Sequence, residues 1–107
     1  MDTTDAEVPT VRGRQQSISD LMDIFNDLSI EDPVQIIVGE VTINCCVHRV
    51  NRSNHHLTVL FTTFANDYLR VETEWANGWL DPQVDRLKPV AEKRQPIGEL
   101  QAIHPLP

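Results

Sequence analysis

Glycine is scarce in this chain, four residues among 107, and the four stand far apart. No glycine-rich phosphate loop or dinucleotide fingerprint can be built from them. Long apolar runs are missing too. The longest, such as Ile36-Ile37-Val38, are three residues, against the ~20 needed to span a bilayer, so no membrane association is expected. Residues Met1 to Asp5 offer neither a basic n-region nor an apolar h-region. No secretory signal is therefore expected, and a cytoplasmic location is the default.

Cysteine is equally sparse. Cys45 and Cys46 are the two in the chain, and they are sequence neighbours. Adjacent Cα atoms sit about 3.8 Å apart, closer than a relaxed disulfide allows, so two free thiols in a reducing compartment are expected. The match of Asn51-Arg52-Ser53 to a glycosylation sequon has no meaning without export. Lysine appears twice against seven arginines, a bias found in salt-rich cytoplasm that by itself indicates no function.

What is present is unevenly placed. The net charge of −7 falls almost wholly on residues 1–32, whose eight acids face only Arg12 and Arg14. The remaining 75 residues are nearly neutral, with eight acids and seven bases. Such a leading segment repels nucleic acid. Residues 1–16 are polar, contain Pro9 and Gly13, and show no period, which reads as a disordered acidic arm. Residues 17–107 read as one α+β domain.

Ser17 followed by Asp20 resembles a capping box with an acid in the first turn. Ile18, Leu21, Met22, Phe25 and Leu28 then recur at helical spacing, with Asp20, Asp23, Asn26 and Asp27 opposite them. An amphipathic helix over about 18–29 is expected, stopped by Glu31-Asp32-Pro33.

From Val34 onward the period becomes that of strands. Val34–Val38 and Glu40–Val50 meet at a bend around Gly39. His55–Phe64 returns after the turn at Asn51–Asn54, and Tyr68–Ala76 leads into Asn77-Gly78, a strong hairpin signal. Pro82 demotes the return from Trp79 to an edge, and Ile97–Ile103 reads as one last edge strand. The expectation is an N-terminal helix and an antiparallel meander of about five strands. In outline this is similar to small barrels of the Sm-like and SH3-like kind. The likeness is architectural; none of those families' sequence motifs is visible, and no residue roles carry over.

Assumed registers sharpen this picture. A two-residue loop at Asn77-Gly78 pairs Ala76 with Trp79 and Trp75 with Leu80. It places Leu69, Val71, Thr73, Trp75, Leu80 and Val84 on the core face and leaves Trp79 among Arg70, Glu72, Glu74 and Asp81. Trp79 is then a candidate partner-binding anchor, the plainer account being that it folds over its own hairpin. A loop at Arg52-Ser53 pairs Val50 with His55, His48 with Leu57 and Cys46 with Val59. Both faces of that hairpin are apolar at the base, so barrel closure or a second subunit must cover them, and a homo-oligomer is one expectation.

That register aligns Cys46, His48 and His55 on one face, where thiolate and imidazole could hold zinc. The spacing matches no common zinc template, and a strand cysteine is ordinarily a small buried hydrophobe. No oxyanion donor or orienting acid accompanies Cys46 and His48, and Glu72 with Glu74 read as a solvated edge, so no catalytic residues and no enzyme activity are expected. The hairpin tip gathers Arg49 and Arg52 with His48, His55 and His56. This set could meet an anion or a partner, although it lacks the basic stripe and stacking aromatics of a nucleic-acid surface.

Three functions follow in order of preference. The first is a non-enzymatic adaptor or regulator that acts through a protein partner, with Trp79, Arg49 and Arg52 as partner-binding candidates. The second is a metal- or redox-responsive sensor using Cys46, His48 and His55. The third is a nucleic-acid-binding small barrel using Arg49 and Arg52.

Overall fold

A computed structural model of the chain describes residues 15–88 and 93–106. Helix α1 (Ile18–Asp27) forms where the apolar spacing places it. The Ser17 side chain accepts a hydrogen bond from the Asp20 backbone N–H at 3.1 Å, satisfying one of the orphan donors of the first turn. The helix closes near Leu28, whose N–H donates back to the Phe25 carbonyl. A turn follows, in which Asp32 accepts from the Ser29 N–H at 2.8 Å. The helix therefore ends two residues before the expected limit, because this turn, rather than Pro33 alone, stops it.

Six strands follow: β1 (Pro33–Val38), β2 (Val41–Arg52), β3 (His56–Thr63), β4 (Tyr68–Glu74), β5 (Gln83–Lys88) and β6 (Lys93–Pro105). Each pairs antiparallel with the next, and β6 returns to pair with β1, closing a barrel. The expected meander of about five strands is thus one of six. Pro82 does what a proline allows: β5 begins immediately after it. The expected short edge strand over Ile97–Ile103 is a thirteen-residue strand that closes the sheet. Closure removes every edge, and it covers the inner face of the β2–β3 hairpin without a second subunit.

Bending a six-stranded meander onto itself requires local breaks in the pleat. Register shifts lie between Ile37 and Val38, between Val47 and Arg49, and between Val84 and Asp85. Gly98 sits at the last of these with φ 131, and an added Cβ would meet Val38 Cγ1 at 3.3 Å. A side chain there is disfavoured by conformation as well as by space.

The interior is one cluster in which Leu21 and Phe25 of α1 join Val34, Ile36, Val47, Leu57, Val59, Phe61, Leu69, Val71, Leu100 and Ile103. The helix thereby covers the barrel end where β1 begins and β6 finishes. Of the expected arm, residues 1–14 lie outside the described residues. Gln15 and Gln16 are bound to β6. The Gln16 N–H donates to the Gln101 carbonyl at 2.8 Å, and the Gln16 side-chain oxygen accepts from the Ile103 N–H at 2.8 Å. No helix among the described residues is long and apolar enough to cross a membrane.

Candidate functional site

Two hairpin tips stand side by side at the helix end of the barrel. The first joins β2 to β3. Its last pair is Arg52 with Leu57, and residues 53–55 connect the strands, with the Ser53 N–H donating to the His56 carbonyl at 2.8 Å. The register expected from a loop at Arg52-Ser53 is corrected accordingly: Val50 pairs with Val59, and Val47 with Phe61. His48 is the extra residue of the bulge between them. The bulge lets Val50 resume the inward face held by Cys45 and Val47.

These shifts redistribute the expected metal ligands. Cys45, not Cys46, shares the core with Val59 and Phe61, while Cys46 is half-buried outside it. Burial first, and the neighbouring Cys46 second, push the Cys45 thiol up to about 12. That keeps it protonated, neither ligand nor nucleophile at neutral pH. His48 is exposed, its ring tilted against Tyr68 with centroids 5.4 Å apart. His55 lies in the turn, six residues of strand beyond Cys46 once Arg52 is reached, which is roughly 20 Å at 3.3 Å per residue. The structure does not bring Cys46, His48 and His55 together. Among the described residues, no three His, Cys, Asp or Glu side chains group as a metal site would need.

Of the two basic candidates, Arg49 is exposed beside the bulge. Arg52 is occupied: its Nη2 donates to the Phe25 carbonyl in the last turn of α1. It gives the carbonyl already met by the Leu28 N–H a second, charged donor, and it places a positive charge at the negative end of the helix dipole.

The second tip joins β4 to β5. Here Trp75 pairs with Trp79, and the Leu80 N–H donates to the Glu74 carbonyl at 3.0 Å. The loop is therefore the three residues Ala76, Asn77 and Gly78, with Asn77 at φ 62 and Gly78 at φ 131. One more loop residue than expected exchanges the faces of Trp79 and Leu80, while β5 keeps the expected register, with Val84 buried opposite Val71. Trp79 is consequently half-buried and packed on the core, not set among charges, and Leu80 turns outward. Trp75 keeps the inward parity of Val71 and Thr73, but it lies beyond the last buried rung and is 47% exposed. Thr73 anchors the limb by donating from Oγ1 to the Leu80 carbonyl.

Trp75 is held from two sides. Its backbone N–H donates to the His55 carbonyl at 2.8 Å, tying the two tips together. Its ring meets Trp79 edge-on, with centroids 5.7 Å apart and planes at 81°, a favoured aromatic geometry. Leu80, 45% exposed, is close in sequence across the loop, and Glu74 and Asp81 flank the pair. The result is an indole backed by a second indole, and an aliphatic side chain, both exposed to solvent at a tip that carries two acids.

A polar network missed by the sequence reading lies on the outer wall. Glu72 accepts from Arg70 Nη2 at 3.0 Å and is 2.6 Å from His56 Nε2, while Thr58 Oγ1 is 3.5 Å from His56 Nδ1. The hydrogen bond with His56 is the main influence holding the Glu72 carboxyl below its ordinary range, with Arg70 assisting against partial burial. Reading Glu72 with Glu74 as a solvated edge passed over the cross-strand pairing of Thr58 with Glu72, which brings His56 into reach. The order hydroxyl, imidazole, carboxylate is that of a nucleophile relay. The hydroxyl stands at the limit of hydrogen bonding, however, and the group lies on the outer wall of a barrel strand.

The chain matches no known protein-family model, no curated protein and no solved structure.

Proposed function

We propose that this protein is a non-enzymatic interaction domain that engages a protein partner through the Trp75–Leu80 tip. The observation that carries the reading is Trp75: a tryptophan 47% exposed yet supported by the edge-on ring of Trp79 and a backbone hydrogen bond. A pre-organised aromatic loses little side-chain entropy on docking, which is why such residues dominate interface energetics. Phe64 is more exposed at 74%, but it sits in the turn between β3 and β4 at the other end of the barrel, where the tryptophan pair gives it no support.

The flanking Glu74 and Asp81 indicate a partner whose apolar pocket has a basic rim. A second copy of this chain would bring the same acids to the contact, and barrel closure leaves no inner face for it to cover. The partner is therefore a different protein.

The test is affinity capture from the native cell extract with three baits: the unaltered protein, Trp75→Ala and Phe64→Ala. A partner retained by Phe64→Ala and lost by Trp75→Ala supports the proposal. Equal capture by all three would remove its basis.

A further inference from the structure

A cavity of about 360 Å³ opens between α1 and the ends of β1 and β6. Ile24 and Leu28 of the helix, Pro33 of β1 and Leu106 are among its apolar lining residues, and Asp27 and Asp32 are its acidic ones. The volume falls at the low end of ligand-binding clefts, about 300–1,000 Å³. On the β side the Leu106 N–H donates to the Pro33 carbonyl at 2.9 Å.

The electrostatics of this region are one-sided. Asp27 is the last residue of α1, where the helix dipole is itself negative, and the last turn carries no basic residue. Asp23 stands one turn before it on the same face, a repulsive spacing. Glu31 and Asp32 continue the acidic surface beyond the helix. Arg52 brings one positive charge to this end, against the four carboxylates, and donates to the Phe25 carbonyl. An apolar groove bordered by an excess of carboxylates at a helix C-terminus suits one side-chain type best. A lysine or arginine can lay its aliphatic stem along Ile24 and Leu28 while its charged head meets Asp27 and Asp32.

We infer that this groove binds a short basic and aliphatic segment of a partner protein, with Asp27 and Asp32 reading its positive charge. The surface is distinct from the Trp75 tip and does not depend on its role. A second copy of the chain is a poor occupant, because its own helix repeats the acids.

The experiment is a ¹⁵N NMR titration of the full chain at low ionic strength with two capped peptides, acetyl-Leu-Lys-Leu-Arg-amide and acetyl-Leu-Gln-Leu-Gln-amide. The basic peptide is expected to shift the amides of Ile24, Leu28 and Leu106, and the neutral one to leave them in place. Asp27→Asn and Asp32→Asn should each weaken binding roughly two- to fivefold, the range of an exposed charge pair, and added salt should weaken it further. Asp81→Asn, at the other surface, should leave it unchanged. The spectrum of each free variant shows that the fold is kept. Absence of shifts at the groove, equal binding of the neutral peptide, or shifts confined to Trp75 and its neighbours would each overturn the inference.

Discussion

The guanidinium of Arg52 donates to the carbonyl of Phe25, fastening the tip of the β2–β3 hairpin to the last turn of α1. One bond thus links the long hairpin to the element that closes the barrel end. Arg52→Ala is expected to destabilise the protein by about 1–2 kcal/mol, the worth of a charge-assisted hydrogen bond to a helix-terminal carbonyl. Arg52→Lys should recover part of the loss by keeping the charge near the helix terminus. Urea unfolding of the two variants checks both values, and an Arg52→Ala midpoint equal to that of the unaltered protein would refute the coupling.

Phe25 is fully buried in the cluster shared by helix and barrel. Phe25→Ala should cost about 3–5 kcal/mol. Thermal unfolding followed by far-ultraviolet circular dichroism would show this as a large drop in midpoint.

The two tryptophans should separate by fluorescence. Trp79→Phe leaves the exposed Trp75, so its emission should lie to the red and be readily quenched by acrylamide; Trp75→Phe leaves the half-buried Trp79, with bluer, protected emission. Trp79→Ala should cost about 2 kcal/mol through lost apolar burial, while Trp75→Ala should change stability by less than about 1 kcal/mol. Reversed emission behaviour would restore the two-residue loop and the opposite placement.

Glu72 predicts an acid limb of stability. Its carboxyl is held below the ordinary value of 4.5 in the folded protein, chiefly by His56. As pH falls below that value, the unfolded chain takes up the proton first. The stabilisation is therefore complete above the unfolded value and is lost as pH falls through the folded one. Glu72→Gln should flatten this part of the stability–pH curve, measured by urea unfolding from neutral pH downwards. An unchanged slope would mean that the network contributes nothing.

The thiols should also differ. Cys45 is buried and its pKa is pushed up to about 12, whereas Cys46 is half-buried on the outer wall. A thiol reagent at neutral pH should label one cysteine quickly and the second only in denaturant. Cys46→Ser should abolish the fast reaction and Cys45→Ser should keep it.

Much of the local structure was legible in the residues. Ser17 with Asp20 and the spacing of Leu21 and Phe25 specified the helix, because a cap and a 3.6-residue period are properties of a single segment. Leu69, Val71 and Thr73 took the inner face as their alternation required, with Arg70 and Glu72 outside. The hairpins were less legible. In β2 both parities carry apolar or small residues, so alternation could not decide between Cys45 and Cys46. The pairing that did decide depends on the three-residue connection between Arg52 and His56 and on the bulge at His48. The proposed Cys46, His48 and His55 alignment rested on that register and does not survive as a geometric arrangement. Trp75 shows a different failure: its parity was read correctly, but exposure follows from where the barrel ends.

By itself, the sequence determined one capped amphipathic helix, a chain of antiparallel strands with breaks near Gly39 and Asn77-Gly78, and an acidic leading segment. Those features arise from propensity, period and charge, which act over a few neighbouring residues. Only the tertiary structure decided that the sheet closes through β6, which cysteine is inside, which tryptophan faces solvent, and that Asp27 and Asp32 line one groove. Each of these depends on pairing between segments distant along the chain, where one added loop residue or one bulge exchanges the faces of the residues beside it.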